Sequence, residues 1–218
     1  MRARQISREL ALLALSQLPT RPDRLAKQDL QNLVLAAVRT LTTEAHEALE
    51  TAAMELDRGH QQLLKSETQA AQVDSARVMV QAAIVQVQAA LNRLGAALDF
   101  PERIQLANQA NVRTYALEIL EHLQANRAEI DQLLEASLVD WQVQRLVRID
   151  RDLLRITTTE ILYLGIPERI AINEAVELAK IYSDEDGHRF INGVLRRVVQ
   201  EIKARPSVGG VSAGPQGG

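Results

Sequence analysis

Residues 166–195 read IPERIAINEAVELAKIYSDEDGHRFINGVL. The stretch contains an apolar run, a short acidic loop and a second apolar run that carries asparagine and glycine. Pro167 cannot continue a preceding helix, so the pattern predicts a turn at 164–169. Apolar residues spaced three and four positions apart then predict two helices, at about 172–182 and 188–203, joined as a hairpin.

The rest of the chain also has helical periodicity. Its 218 residues include only six prolines and ten glycines, and an alternating β-branched pattern is absent. The tail, residues 204–218, has too few apolar side chains to bury a core and is expected to be disordered. We therefore predict an all-α protein. Upstream of the hairpin, its helices are expected at about 3–18, from about 24, and at about 103–124, 126–138 and 140–164.

A proline-free segment, residues 43–98, is expected to form a long helical arm that folds back on itself near 59–66. Its firmer seam is expected after Val73, because Ala45, Ala52, Gly59 and Ser66 occupy the matching upstream positions and should pack weakly. Seven acidic and four basic side chains give the arm a net charge of −3, which disfavours nucleic-acid contact. The larger residues in heptad register are Leu49, Leu56, Leu63, Ile84, Leu91 and Leu98 at one position, and Val73, Val80, Val87 and Leu94 at the other.

Composition and motifs exclude several kinds of site. The chain has no cysteine, which rules out disulfides, thiolate metal ligands and a cysteine nucleophile. Its four histidines lack a metal-binding spacing, and phosphate-binding glycine loops and the GxSxG motif are absent. No stretch approaches the roughly 20 apolar residues that span a bilayer. We therefore expect a cytoplasmic, non-enzymatic protein with no metal, cofactor or membrane contact.

Positive charge is concentrated at the N-terminus of an acidic chain. Residues 1–27 contain six basic and two acidic side chains, whereas the whole protein has a formal net charge of −3. Arg4 and Arg8 lie one helical turn apart and are expected to point away from the apolar stripe of the first helix. Either this is an ordinary solvated helix face, or these guanidinium groups, with Arg2, contact phosphate.

Several polar residues of the C-terminal hairpin have two interpretations each. Asn173 is suited to capping the start of a helix. Asn192 and Gly193 fall inside a helix, where glycine costs roughly 1 kcal/mol relative to alanine, so close helix packing is one explanation. Arg189 beside Phe190 is either a surface cation next to a core aromatic, or a pair that stacks on an unpaired base and contacts its phosphate.

The quoted stretch resembles the C-terminal signature of the NusB family of bacterial transcription antitermination factors. That signature is I-P-x-x-x-A-I-N-E-A-V-E-L-A-K, an acidic loop, then K/R-F-V/I-N-G-V-L. The sequences IDRDLLRITTTEIL (149–162) and SRELALLAL (7–15) are similar to two further helices of the family. The resemblance covers about 103–203 and 1–18 and does not extend to the arm. It implies a fold of two small helical bundles, so residues 1–203 are expected to form one NusB-like domain, interrupted by the inserted arm at about 43–98.

The resemblance also implies a function. NusB proteins bind single-stranded boxA RNA of ribosomal RNA leaders together with a small-subunit ribosomal protein, NusE, and help RNA polymerase to read through terminators. Asn173, Asn192 and Gly193 are expected to hold the two C-terminal helices in register. The RNA-binding residues implied by the resemblance are Arg2, Arg4, Arg8, Arg169, Arg189 and Phe190, and the acidic residues expected to face the ribosomal protein are Asp150 and Glu174.

Two alternatives share part of this pattern. A NusB-like domain precedes the catalytic domain in one family of RNA methyltransferases, but only fifteen residues follow residue 203, so a cofactor-binding domain is not expected here. The other alternative is a structural coiled-coil or interaction protein built around the arm. That interpretation leaves the 166–195 signature without a function.

Overall fold

A computed structural model describes residues 2–18, 27–139 and 141–204. Within these ranges the chain has nine α-helices, one short 3-10 helix and no β-strand, which confirms the all-α fold class. The expected disordered tail lies outside the described residues, except Ala204, which ends the last helix. The elements are α1 (Arg2–Ser16), α2 (Lys27–Thr68), α3 (Val73–Ala97), α4 (Phe100–Ala107), α5 (Ala110–Ala125), α6 (Arg127–Ser137), the 3-10 helix Val143–Arg145, α7 (Arg148–Tyr163), α8 (Glu168–Tyr182) and α9 (Gly187–Ala204).

Two of the predicted helices are shorter than expected. One divides into α4 and α5 at Asn108, whose Nδ2 donates to the carbonyl oxygen of Ile104 at 2.9 Å and so competes with the helical hydrogen bonds. The next begins later than predicted, at Arg148. Ahead of it, the Glu135 carboxylate accepts a hydrogen bond from the backbone nitrogen of Val143 at 2.8 Å, which satisfies this group outside an α-helix.

One compact unit comprises residues 1–14 and 31–116. Glu9 of α1 forms an ion pair with Arg103 of α4, and the Arg103 guanidinium also lies 4.8 Å from the centroid of the Phe100 ring. These polar contacts accompany a core of aliphatic side chains and one tyrosine. The buried residues that α1, α2 and α5 contribute to this unit include Leu10, Leu13, Val34, Ala37, Leu41, Val112 and Tyr115.

The second unit comprises residues 15–30 and 117–218. Its central element is α7, because α6, α8 and α9 all pack against it, and α9 packs in addition on α6 and α8. Residues 152–160 of α7 are buried around the whole helix circumference, as an interior helix requires. Arg148, at the start of α7, donates to the carbonyl oxygen of Leu15 at 2.7 Å and so ties the end of α1 to this unit.

The arm is an antiparallel hairpin of α2 and α3, as predicted, but its turn is displaced. α2 runs uninterrupted through Gly59, so the expected reversal at 59–66 is wrong, and the chain turns at 69–72 instead. Gly59 permits a close approach of the two helices: a Cβ added there would lie only 3.3 Å from the carbonyl oxygen of Ala83.

Small residues form the seam of this hairpin. Ala52, Ala83 and Ala90 are each at most 1% exposed, whereas Leu56 is 41% and Leu91 is 59% exposed. The expectation of a firm seam of leucines and valines is therefore wrong for these leucines, whereas Val87 does lie against Gly59 in the seam. Alanine and glycine let the two backbones approach closely, and the larger side chains of the neighbouring heptad positions are then left outside the seam.

Candidate nucleic-acid interface

Two arginines of α1 are exposed, and each has a contact that holds its side chain in one direction. Arg2 forms an ion pair with Glu102 at the start of α4, and both side chains are more than half exposed. The guanidinium carbon of Arg4 lies 3.5 Å from the centroid of the Tyr115 ring. This cation–π contact holds Arg4 in one direction while the side chain remains exposed. Both guanidinium groups are therefore accessible to an anionic ligand.

Arg8 does not lie on that surface. It is 4% exposed, so the expectation that it points away from the apolar stripe is wrong. The reason is that α1 is buried on every side from Ile6 to Leu15, and no solvated face remains in this part of the helix. Arg8 and its buried neighbour Glu9 therefore belong to the packing of the unit rather than to its surface.

The start of α9 carries a cationic residue followed directly by an aromatic one. Arg189 is 77% exposed at its side chain, and its Nη1 lies 3.2 Å from Oδ1 of Asp186, which is equally exposed. An ion pair in such solvent contributes little, so the guanidinium can exchange this partner for a phosphate. Phe190 is half-buried, which leaves part of its ring at the surface.

Gly187 positions this pair, a role that was not predicted from the sequence. A Cβ at Gly187 would lie 1.9 Å from Oγ and 2.7 Å from Cβ of Ser183, so only glycine fits without displacing the α8–α9 turn. The turn is also anchored to α7, because Ser183 Oγ donates to Asp150 Oδ1 at 2.5 Å. The sequence contained one indication of this role. Gly187 directly follows three acidic residues at the start of a helix, where a glycine is not needed to interrupt helical structure.

The two residues expected to face a protein partner differ in their surroundings. Asp150 is 7% exposed and faces Ser183, so the expectation that it presents a surface charge is wrong. Burial raises the pKa of Asp150, with a further upward contribution from the charge of Asp184, while the hydrogen bond from Ser183 lowers it. Glu174 is half-buried on α8.

A groove of about 550 Å³ runs between the start of α8 and the end of α9. Lys203 and Glu168 form an ion pair of 2.7 Å that connects the two helices there. Arg196 points its Nε towards Oδ1 of Asn192 at 3.4 Å. Arg196 and Lys203 were not predicted as site residues, because single basic residues on a terminal helix are indistinguishable from solvated surface. The polar residues that line the groove are Glu168, Arg169, Asn173, Asn192, Arg196, Gln200 and Lys203.

The groove changes the interpretation of the asparagines and the glycine. Asn173 is not a cap, since α8 begins five residues earlier at Glu168. Gly193 has nothing within 4 Å of the position its Cβ would take, so the expected close helix packing is wrong. Asn173 and Asn192 instead contribute amide groups to the groove wall.

The predicted RNA-binding residues of the second unit do not form a single cluster. Arg169 lies near the start of α8, whereas Arg189 and Phe190 lie near the start of α9, which runs antiparallel to it. At 1.5 Å per residue, the 15 residues of α8 separate the two positions by about 20 Å. The hairpin therefore presents two cationic positions, one at each end.

The arginine of the LLRI segment of α7 has a structural role. Arg155 is 4% exposed and donates through Nε and Nη2 to the two carboxylate oxygens of Asp131, both at 2.8 Å. Its Nη1 lies 3.3 Å from Oδ1 of Asp152. Burial raises the pKa of Asp152, although Arg155 acts against this shift. The network connects α6 to α7 inside the second unit.

Together these observations define a class of protein. In the part of the chain that the structure describes, no group of three or more His, Cys, Asp or Glu side chains could hold a metal ion. No helix there is both long and apolar enough to cross a membrane. Exposed guanidinium groups lie on α1, α8 and α9, and that of Arg4 lies over the ring of Tyr115. In its described residues the chain is thus an all-helical protein with exposed arginine side chains.

The comparisons with known proteins identify the family. The sequence profile of the NusB family matches residues 74–200. The transcription antitermination protein NusB of Microcystis aeruginosa (strain NIES-843 / IAM M-2473) is 55% identical over 199 residues, which are 91% of this chain and 92% of that protein. The protein of the same name from Cyanothece sp. (strain PCC 7425 / ATCC 29141) is 60% identical over 205 residues, 94% and 98% of the two chains. The chain therefore belongs to the NusB family.

The same comparisons revise the expected limits of the resemblance. The family match begins at residue 74 and includes α3, so the expectation that the resemblance excludes the whole arm is wrong. Alignments over more than nine-tenths of the chain also leave no room to omit the arm in those relatives. A protein chain from a crystal structure of a plectonemic RNA supercoil has the same fold, with a TM-score of 0.52 over 94% of this chain and 100% of that chain at 19% identity.

Proposed function

We propose that this protein is an RNA-binding transcription antitermination factor without enzymatic activity. In this proposal it acts in the cytoplasm, within the RNA polymerase antitermination complex, and binds single-stranded boxA RNA together with the ribosomal protein NusE. The observation that carries the proposal is the exposed guanidinium of Arg189, which is followed in α9 by the half-buried Phe190. Membership of the NusB family and the names of the two relatives support it.

The chemistry of single-stranded RNA matches this pair of side chains. An unpaired nucleotide presents a base that stacks on an aromatic ring and a phosphate that accepts hydrogen bonds from a guanidinium fork. Arg189 and Phe190 supply both within one turn of helix. They also lie at the N-terminal end of the 18-residue α9, where the helix dipole favours a negative ligand.

Cations elsewhere in each unit offer further contacts to phosphate. On α1, Arg2 and Arg4 offer guanidinium groups, and the Tyr115 ring restrains Arg4 before any ligand binds. On α8, Arg169 is exposed but about 20 Å from Arg189, so it would meet a different nucleotide. These contacts to phosphate position the strand, whereas the ring of Phe190 meets a base.

The ribosomal partner would meet an acidic surface of this protein. Glu174 is the residue we propose for that contact, since its side chain is partly exposed on α8. Asp150 would act indirectly, by holding the turn that leads into α9. Charge complementarity of this kind raises the association rate and fixes orientation more than it raises affinity.

Arg189→Glu tests the RNA surface. We expect it to weaken binding of boxA-type RNA and to reduce the salt dependence of binding by about 0.7 for each phosphate that is no longer neutralised, with the circular dichroism unchanged. Arg58→Glu, which reverses an exposed charge on the arm, is the matched control. A titration with and without the ribosomal protein separates direct RNA contact from partner contact. An equal reduction of affinity in both variants would show that net charge alone matters, and the proposed site would be abandoned.

Phe190→Ala separates stacking from packing. A stacking phenylalanine contributes about 1–3 kcal/mol to RNA affinity, whereas a fully buried one contributes about 3–5 kcal/mol to stability. Because the ring is half-buried, we expect the reduced affinity together with a smaller decrease in stability than full burial implies. If affinity were intact in the folded fraction, Phe190 would be a core residue and not a base-stacking residue.

A further inference from the structure

The α2–α3 hairpin has an exposed apolar face that the proposed RNA contacts do not use. On each helix these residues follow one another at four- or seven-residue spacing, so they form one stripe per helix. Each is between 36% and 85% exposed in the complete chain. The residues of this face are Leu49, Leu56 and Leu63 on α2, and Val73, Val80, Ile84, Leu91 and Leu98 on or just after α3.

The two stripes lie on the same side of the hairpin. At about 100° per residue, the α2 stripe lies roughly 20–60° clockwise from the buried seam position Ala52, viewed from the helix start. On α3, the residues from Val73 to Leu91 lie roughly 60–100° clockwise from Ala83. The two helices are antiparallel and face each other through the seam. Because both stripes are rotated clockwise from the seam, each viewed from the start of its own helix, they lie on the same side of the hairpin. The result is a continuous two-helix apolar surface.

We propose that this face is an interface with a second copy of this chain, in which two hairpins form a four-helix bundle. The 25 residues of α3 give a length of about 37 Å, and two adjacent helices give a width of about 18 Å. Each copy would thus bury about 650 Å², about 1,300 Å² in total, which is within the range of specific stable dimers.

The charges also favour a second copy over other occupants. The arm carries a net charge of −3, which disfavours RNA. Most of its acidic and basic groups lie off this face, so the face also offers little to a strongly basic protein. The C-terminal tail, RPSVGGVSAGPQGG (205–218), has only two valines as large apolar residues and could not cover it. An identical apolar face is complementary without any unpaired charge, and two-fold pairing is the commonest form of protein association.

Two opposite charges near the turn specify the orientation. Glu67, in the last turn of α2, and Arg77, in the second turn of α3, flank the face at its tip. Within the described residues neither takes part in an ion pair or hydrogen bond of its side chain. With the two-fold axis along the hairpin, α2 of one copy lies over α3 of its partner, and each Glu67 approaches the opposite Arg77. The two copies therefore pair with their tips at the same end.

Sedimentation equilibrium of the full chain tests the interface. We expect the wild type to behave as a dimer of the 24.2 kDa chain in the micromolar range. Ile84→Glu with Leu91→Glu should weaken dimerisation by about 100-fold or more, since the new carboxylates would be buried without a partner against the leucines of the other copy's α2. The matched control is Val78→Glu with Val85→Glu, which places the same charges at the same spacing on another exposed side of α3 and should remain dimeric.

Each alternative result overturns the proposal. A wild type that is monomeric throughout shows that the face has no self-affinity, and equal dissociation of both variants shows an effect of charge alone. A dimer that survives Ile84→Glu with Leu91→Glu uses another surface.

The orientation of the two copies has its own test. Glu67→Arg should weaken dimerisation several-fold, and the addition of Arg77→Glu should restore it. Failure to restore dimerisation excludes the arrangement with both tips at the same end. RNA titration of the same variants tests the proposed function separately, because none of the substitutions touches Arg189 or Phe190.

Discussion

The two helical hairpins of this protein differ in the side chains that they bury. In the α8–α9 hairpin, Leu178, Ile191 and Leu195 are at most 1% exposed, and the exposed positions are mostly polar, with Ile170 and Ile181 as exceptions. In the arm, residues 43–98 of the α2–α3 hairpin, the buried residues are alanines, Gly59 and Glu55, and leucines lie outside. The first hairpin is embedded in a unit where α6 and α7 cover it. The second leaves its large side chains in water.

This difference determines what each hairpin can do. Apolar area removed from water stabilises by about 25 cal/mol per Å², so the α8–α9 hairpin uses its aliphatic side chains for folding. Its outer surface is then free to carry arginine, asparagine and phenylalanine for recognition. The α2–α3 hairpin folds through close backbone approach and keeps its aliphatic area for association. Substitutions in the two hairpins test this contrast.

Truncating one leucine in each hairpin gives the largest expected contrast. Leu195→Ala in α9 should reduce the free energy of unfolding by about 2–5 kcal/mol, because its side chain is fully buried. Leu91→Ala in α3 should cost less than about 1 kcal/mol in dilute solution, because its side chain is mostly in water already. Urea unfolding measures both. Equal costs would mean that Leu91 is buried in the folded monomer, and the contrast would fail.

Two glycines of α9 should respond to alanine with opposite signs. Gly187→Ala should destabilise by about 1–3 kcal/mol, because the new Cβ would overlap Ser183 and disturb its bond to Asp150. Gly193→Ala should stabilise by up to about 1 kcal/mol, since the Cβ meets open space in a helix interior. Thermal melting compares them. A destabilised Gly193→Ala protein would indicate an unrecognised contact at that position.

The anchor of the α8–α9 turn should give the protein a small pH dependence. Burial raises the pKa of Asp150, so its ionisation costs stability as the pH rises through the value in the folded protein. Asp150→Asn keeps an acceptor for Ser183 and should be the more stable protein above that pH, by less than about 1 kcal/mol. The difference should disappear in acid. Glu185→Gln, which removes one negative charge at an exposed position of the same turn, is the control for the change in net charge.

Removal of the arm should have the smallest effect on RNA binding. Replacing residues 44–98 with a short Gly/Ser linker should leave a helical protein whose affinity for boxA-type RNA is within about twofold of the wild type, since the arm lacks a cationic surface. The same variant should be monomeric. A folded variant with strongly reduced RNA affinity would show that the hairpins share the recognition function.

The predictability of the two hairpins differed for a physical reason. In α9 the apolar residues recur at helical spacing and most of them are buried, among them Ile191, Val194, Leu195 and Val198, so periodicity located this side of the seam. In α2–α3 the leucines produced an equally strong pattern, but burial followed the small residues instead. The turn at 69–72, Gln-Ala-Ala-Gln, contains neither proline nor glycine, so it carries no local signal for a reversal.

The candidate site was predictable only where exposure follows from helix position. Arg189 and Arg4 are exposed as expected, because each lies on a helix with one solvated side. Arg8 lies one helical turn after Arg4 and was expected on the same exposed side. It is buried because other helices surround α1 at this position, and only the tertiary packing determines that. Asp150 likewise reads as a surface acid, since its hydrogen-bond partner Ser183 lies 33 residues away in the chain.

The division of the chain between its two units has a consequence for the order of folding during synthesis. The α2–α3 hairpin is closed by local contacts, such as the Glu55–Arg93 ion pair across 38 residues. The second unit needs contacts of much longer range, including that of Arg148 with Leu15 across 133 residues. Local contacts form faster, and a nascent chain presents them first. The arm can therefore fold on the ribosome, and expose its apolar face to a neighbouring nascent copy, before the α8–α9 hairpin has been translated.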